Sequence, residues 1–442
     1  MRTDGSNPFA HTATGIHART ALAMRPAQDW DSPIPPAVDL NDGLTEDEAA
    51  LIGLWNNAAF LELLTDLDLS RADLIEAGQL TNPQLQTMIP VGVKQWELAL
   101  LVPLEAIWVR PRRVAAAQLN MQRVGERVVQ DGLNTVRDIR VGFADLVRAN
   151  ERWRLAQYGA NLQGENARRG EAMLRAGATS HLDVSPLRVN ALLAQREVIQ
   201  ATQEATVARQ RLLMLMGVPF EDFPADPALQ PTTRYLTASA EELVNQAISS
   251  RPDLQAAHFA IVANEERMKL TRYDYIRFAG LLPDLNQKGE KGFEAGLGFA
   301  MSIPIFNQNQ GAKAKAAAQL EKSRRNFVNL RNTAVLEVQQ AYARFARAEN
   351  ELGLLRETII PEAEAAYRRM ENALNEDAVS TLLVMQTTDQ YLAARRLEID
   401  AAAELRRAMA ELERSVGWRL FNKPEPIMEE MSLFQRTAQQ LR

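Results

Sequence analysis

Residues 292–311 read "GFEAGLGFAMSIPIFNQNQG". From Phe293 onward apolar side chains take alternate places: Phe293, Ala295, Leu297, Phe299, Met301, Ile303 and Ile305. Between them stand Glu294, Gly296, Gly298, Ala300, Ser302 and Pro304. A period of two is that of a β-strand with one greasy face. Residues 94–104 give a blurred version, with Trp96, Leu98, Leu100, Val102 and Leu104 against Gln95, Glu97, Ala99, Leu101 and Pro103. Most of the remaining chain is Ala-rich and helical in period, so the few strands must find a cover for their apolar face.

Working outward, the chain repeats itself. Residues 180–217 align without gaps on 380–417 at an offset of 200, with 12 identities in 38 positions. The paired Ser180/Ser380, Arg196/Arg396 and Gly217/Gly417 carry more weight than Ala and Leu matches, which helices share by composition. Upstream, "AAAQL" at 115–119 returns at 316–320, and "VPL" at 102–104 returns as "IPI" at 303–305. Two copies of one unit are therefore expected.

The first repeat is expected over 44–217, with a helix over 45–78, a strand pair within 82–104, a long helix over 110–176 and a return helix over 181–216. The second is expected over 238–420, with a helix over 239–278, a strand pair within 281–305, a long helix over 310–375 and a return helix over 381–417. At 1.5 Å per residue each long helix would span on the order of 100 Å. Residues 218–237 form a Pro-rich connector, 1–43 an extended or disordered arm, and 421–442 a tail. Ser180 with Asp183 has capping-box spacing, Ser380 can cap alone, and Gly217 and Gly417 suit helix stops. Apolar spacing near 3.5, with small Ala on the seams, favours antiparallel coiled coils. The fold class is thus mainly α with a small β part.

Composition excludes several functions. The net charge is −6 with no basic block, which argues against nucleic acid. Cysteine is absent, removing disulfides, thiolate nucleophiles and Cys-based metal sites. His11, His17, His181 and His258 are scattered without metal-pair spacing, and the methionines fall at apolar packing positions. No nucleophile–base pair, phosphate loop or dinucleotide fingerprint stands out, so no enzyme activity, cofactor or metal is expected. No apolar run is long enough for a spanning helix. The first residues lack a signal-peptide core, so any export signal is expected upstream of Met1.

Four short amphipathic strands need a cover. Either several chains pool them into a closed barrel with lipid outside and water inside, or a small sheet packs on helix ends in a soluble protein. Here the residues carry a resemblance. "SIPIFNQNQG" (302–311), entering an Ala-rich helix, resembles the strand-to-helix junction of TolC-like outer-membrane efflux proteins, most closely their heavy-metal RND branch. "RAGATSHLDV" (175–184) resembles the family's tip, "LERSVG" (412–417) its helix end, and "RPDLQAA" (251–257) the start of its second repeat. "WNNAAFLEL" (55–63) resembles the first-repeat counterpart but lacks the usual Asn-Pro.

The resemblance implies a homotrimer in the outer membrane. Each chain would give four strands to a 12-stranded β-barrel and its helices to a periplasmic α-barrel. The partners implied are a periplasmic adaptor (membrane fusion) protein, an inner-membrane transporter of RND type and the lipid bilayer. The cargo would be metal cations or small organic compounds in passive transit. Phe293, Leu297, Phe299, Met301 and Ile303 would face lipid. Arg175, Gly177, Ser180, Leu182 and Asp183, with Asn375, Glu376, Asp377, Ser380 and Leu382, would form the tip that meets the adaptor or gates the pore. Some relatives carry acids just inside the tip, where this chain has Leu383 and Gln386; Glu376, Asp377 or Asp183 would substitute. The rival reading is a soluble, elongated coiled-coil scaffold.

Overall fold

The computed structural model describes residues 8–25, 34–89, 94–218, 223, 226–227, 236, 238–273, 279–288, 292–301, 305–375 and 380–420. The elements run α1 (Pro8–Thr20), α2 (Glu46–Asn56), α3 (Ala58–Gly78), β1 (Gln84–Met88), β2 (Lys94–Pro103), α4 (Glu105–Arg175) and α5 (His181–Met216). The second half gives α6 (Ala240–Ser250), α7 (Pro252–Tyr273), β3 (Ala279–Lys288), β4 (Phe293–Met301), α8 (Gln310–Leu354), α9 (Ile360–Asn375) and α10 (Thr381–Val416). From α2 onward the same order of helix pair, strand pair, long helix and return helix occurs twice.

Three expectations change. The arm 1–43 was expected to be extended or disordered, yet residues 8–20 form α1. Its Thr12, Ile16 and Thr20 are buried at four-residue spacing, a helical face that the polar composition of the segment hides. The helices expected over 45–78 and 239–278 are each two helices. Asn57 makes the first break: its amide donates to the Leu215 carbonyl (2.7 Å), and its side-chain oxygen accepts from the Phe60 N–H (3.0 Å). Pro252 makes the second, with no N–H to donate and a ring suited to a first helical position. The helix expected over 310–375 is interrupted by a π-helical segment at Leu355–Ile359, just before Pro361. A proline there removes one i→i−4 bond and crowds the preceding turn, and the extra residue of a π-bulge absorbs this.

The chain divides into two compact units. One comprises residues 1–15, 62–130 and 250–333 and contains the sheet. In it Arg110 donates to the Gly78 carbonyl (2.6 Å), and Arg113 to those of Ala77 (2.9 Å) and Gln79 (2.6 Å), so α4 caps the open end of α3. Asn264 donates to the Ser323 hydroxyl (2.6 Å), tying α7 to α8.

The other unit comprises residues 16–61, 131–249 and 334–442. Its core lies between α6, α8 and α10, around Leu243, Val338, Phe345, Leu405 and Leu412, with Ala341, Ala348, Ala401 and Ala408 letting the backbones approach. Contacts give the helices an order. Leu187 of α5 packs at Gly170 of α4, ion pairs link α4 to α10, and the apolar core links α10 to α8. The paired glycines end both return helices in the left-handed conformation, Gly217 at φ +72° and Gly417 at +75°. At Gly217 a Cβ would stand 2.2 Å from the Asn56 carbonyl oxygen, so no larger residue fits.

Candidate functional site

The four strands form one antiparallel sheet in the order β1-β2-β3-β4. The register builds cross-strand rows. Gln86, Ala99, Asp284 and Gly296 make one row, and Thr87, Leu98, Leu285 and Ala295 make the next, on the opposite face. Extending the alternation gives one face with Leu85, Leu98, Leu100, Val102, Leu281, Leu285, Leu297 and Phe299. The other carries Gln84, Gln86, Glu97, Ala99, Asp284, Glu294, Gly296 and Gly298, with Met88, Leu101 and Leu282 among them.

Much of the apolar face is exposed, with Leu98, Val102 and Leu281 half-buried. Leu297 is 76% exposed, Leu85 63% and Phe299 60%. Large side chains cannot stay in water at this density without cost, since each forfeits roughly 1.5–3 kcal/mol of burial. The glycines of the other face have a physical reason. A Cβ on Gly296 would lie 2.0 Å from Asp284 Oδ1, because the Asp284 side chain leans across the strand into that space. β1 and β4 each have one ladder edge with no strand beside it among the described residues.

Of the strand residues expected to face lipid, Leu297 and Phe299 are exposed on the apolar face. Phe293 and Met301 lie at the two ends of β4. Ile303 falls outside the described residues. β1, the first strand of the pair expected within 82–104, covers five residues.

The helix reversals are the second candidate region. α4 ends at Arg175, Gly177 takes φ +75°, and Ala178 N–H closes back on the Met173 carbonyl at 2.9 Å. Ser180 caps α5 in a full capping box: the Asp183 N–H donates to Ser180 Oγ (3.3 Å), and the Ser180 N–H donates to Asp183 Oδ2 (3.3 Å), with Ser180 Oγ also donating to that oxygen (2.6 Å). These bonds from Ser180 hold the Asp183 carboxyl below the usual carboxylate range. In the second repeat α9 ends at Asn375, and Glu376 and Asp377 lie outside the described residues. Ser380 again accepts from residue N3 (3.4 Å), but Leu383 replaces the acid and no box forms. Leu182 and Leu382, equivalent across the repeat, are 85% and 72% exposed.

Sequence reasoning missed the polar ties along the helices that lead to these reversals. Gln163 donates to Asp389 (2.9 Å), and burial pushes the Asp389 carboxyl up. Tyr367 and Tyr391 stack at 5.1 Å, and burial first, then Glu371 and Tyr158, raises the Tyr367 hydroxyl to about 12. Further along, Arg152 pairs with Asp400 (2.5 Å) and Arg407 with Asp145. The buried Arg140 holds Glu413 and Asp47. Apart from the two tyrosines, those partners stand more than 90 residues apart in sequence, where no local spacing could flag them. Among the described residues no His, Asp and Glu group could hold a metal ion, and no helix is long and apolar enough to cross a membrane.

Long paired helices, two strand pairs in one sheet and an exposed apolar sheet face invite comparison with outer-membrane channels. Comparison with known proteins agrees. Residues 243–418 match the family described as outer membrane efflux protein. The cobalt-zinc-cadmium resistance protein CzcC of Cupriavidus metallidurans is 25% identical over 301 residues, covering 64% of this chain and 69% of CzcC. Among solved structures, the Campylobacter jejuni CmeC outer membrane channel superposes with a TM-score of 0.71 at 12% identity, over 92% of this chain and 93% of CmeC. The open state of the Neisseria gonorrhoeae MtrE outer membrane channel gives 0.69 at 14%, over 85% and 90%. The fold of the chain is that of these outer-membrane channels.

Proposed function

We propose that the chain is one of three identical subunits of a passive exit duct in the outer membrane, serving a tripartite efflux system. The exposed apolar face of the sheet carries this reading. In a ring of copies, the open edge of β4 on one chain would pair with the open edge of β1 on the next. Three chains then close a 12-stranded barrel with no free edge. Leu85, Leu297 and Phe299 would turn outward to lipid, and Gln86, Glu97 and Asp284 inward to water.

The reversals at 174–183 and 374–383 would form the periplasmic end. Leu182 and Leu382 at the starts of α5 and α10 would offer two equivalent apolar knobs per chain to an adaptor hairpin, which in turn leads to an inner-membrane transporter. Arg175, Gly177, Ser180, Asp183, Asn375, Glu376, Asp377 and Ser380 would shape that end. The relation to CzcC supports metal cations as cargo. The duct itself would perform no chemistry. The soluble-scaffold alternative leaves the exposed sheet face without a cover.

The deciding measurement is mass in mild detergent against mass in plain buffer, on protein from the membrane fraction, followed by planar-bilayer recording. A detergent-dependent trimer giving discrete conducting steps is expected. A monomer or dimer that needs no detergent and conducts nothing would refute the proposal.

A further inference from the structure

The N-terminal helix α1 has no part in the duct as described above, yet it is built into a buried polar site around Arg140 and Arg419. Ile16 is fully buried, and its Cδ1 lies 2.8 Å from where a Cβ would stand at position 132, so Gly132 of α4 is a notch for this side chain. Phe60 of α3 borders the same notch. The end of α1 is held from the far end of the chain. The Arg419 N–H donates to the Arg19 carbonyl (2.9 Å), and Arg419 Nη1 donates to the Thr20 carbonyl (3.0 Å). Arg419 therefore caps the last carbonyls of α1, where a cation is favoured.

The cap is joined to the contact between the repeats. Arg419 Nη2 donates to Asp47 Oδ2 (2.6 Å), and Arg140 Nη2 donates to Asp47 Oδ1 (3.0 Å). Arg140 also holds Glu413, whose Oε1 accepts from the Leu420 N–H (3.0 Å). One carboxylate, Asp47, thus bridges two guanidiniums that are 6% and 7% exposed. Five pieces meet there: α1, α2, α4, α10 and the residues after α10.

The turn that follows α1 is strained. Ala21 sits at φ +61°, a left-handed conformation that a residue with a Cβ adopts at a cost. Contacts on both sides hold it: Arg419 on Arg19 and Thr20, and Trp55 Nε1 on the Ala23 carbonyl (3.2 Å). An isolated helix of 13 residues is marginal in water, so α1 depends on being docked.

We propose that α1 is a terminal clasp that closes last. Its latch, Arg419, is supplied only after the whole second repeat, and its seat on α4 and Asp47 comes from the first. A chain lacking either repeat has no latch or no seat, so a docked α1 marks a complete, correctly paired chain. This holds whether or not the assembled protein is a channel.

The test is hydrogen exchange, read by mass spectrometry, on the full-length protein in detergent. Arg419→Gln should speed exchange of peptides from residues 8–24 by about ten- to a hundredfold, as expected for losing charge-assisted bonds. Peptides from the α4–α10 seam, around 145–156 and 398–407, should be unchanged. Ala21→Gly, which removes the strain, should slow exchange of the same N-terminal peptides. Ile16→Ser opens the clasp at its other end with Arg419 intact, and decides the matter if Arg419→Gln does not fold. Unchanged protection of 8–24 would overturn the clasp. So would loosening of the seam to the same degree, which would make Arg419 an ordinary packing residue.

Discussion

Replacing Leu297 by Arg tests the sidedness of the sheet directly. Leu297 is the middle residue of the nine-residue β4, pairs with Pro283, and is 76% exposed on the apolar face. If lipid covers that face, a guanidinium there costs roughly 2–4 kcal/mol per chain at mid-depth and less toward either interface. By contrast, Gln86→Arg changes the opposite face, in the row of Ala99, Asp284 and Gly296, where water would reach it. That change is expected to stay within about 1 kcal/mol, as at a lumen position or rim. The assay is urea-titrated folding into lipid vesicles. A difference of about 2–4 kcal/mol corresponds to roughly thirtyfold to a thousandfold in the folding equilibrium. Equal costs for the two variants, or a Leu297→Arg protein within about 0.5 kcal/mol of the parent, would refute the assignment of lipid and water to the two faces.

Two further outcomes concern the helical unit. Arg140→Met strands the largely buried Glu413 and one side of Asp47, and should destabilise by about 3–5 kcal/mol in urea unfolding; adding Glu413→Met should recover much of the loss. Strict additivity of the two changes would show that the pair is not coupled. Asp389→Asn should stabilise the protein at neutral pH, because burial raises the folded pKa of Asp389 and the charged form opposes folding above that value. The advantage should vanish as pH falls through the raised folded pKa toward the ordinary carboxylate value. Asp47 has the opposite sign. Burial pushes it up, but Arg140 and Arg419 more than offset this and hold it low, so its contribution is present at neutral pH and is lost only in stronger acid. A melting-temperature profile of Asp389→Asn that is flat against the parent from pH 8 to 4 would contradict the first expectation.

What the sequence made legible, and what it hid, divides along physical lines. The strand at 293–301 and the return helices were readable because their signals are local: a period of two, a capping serine, a glycine stop. Gly217 and Gly417 repeat at an offset of 200 because both copies need the same left-handed stop. The sheet glycines were visible as a pattern, but their reason was not. It took the register to show that Asp284 fills the place of a Cβ at Gly296. The broken first helices and the π-segment before Pro361 lay within reach, since Pro252 and Pro361 stand in plain sight. Asn57 does a proline's work by hydrogen bonding, and that choice becomes visible only once Leu215 is brought beside it.

Helix α1 was hidden more thoroughly. Its buried face is Thr12, Ile16 and Thr20, and two threonines around one isoleucine make no apolar stripe. That face becomes a packing surface only because Gly132 removes a side chain and Arg419, about 400 residues away, supplies a cap. Local pattern reports what a segment can do by itself. A segment whose structure is conferred by its partners gives no such signal, and in this chain α1 and the charged hub are of that kind. The exposed sheet face is the converse case: its local signal is strong, and among the described residues nothing covers Leu85, Leu297 and Phe299.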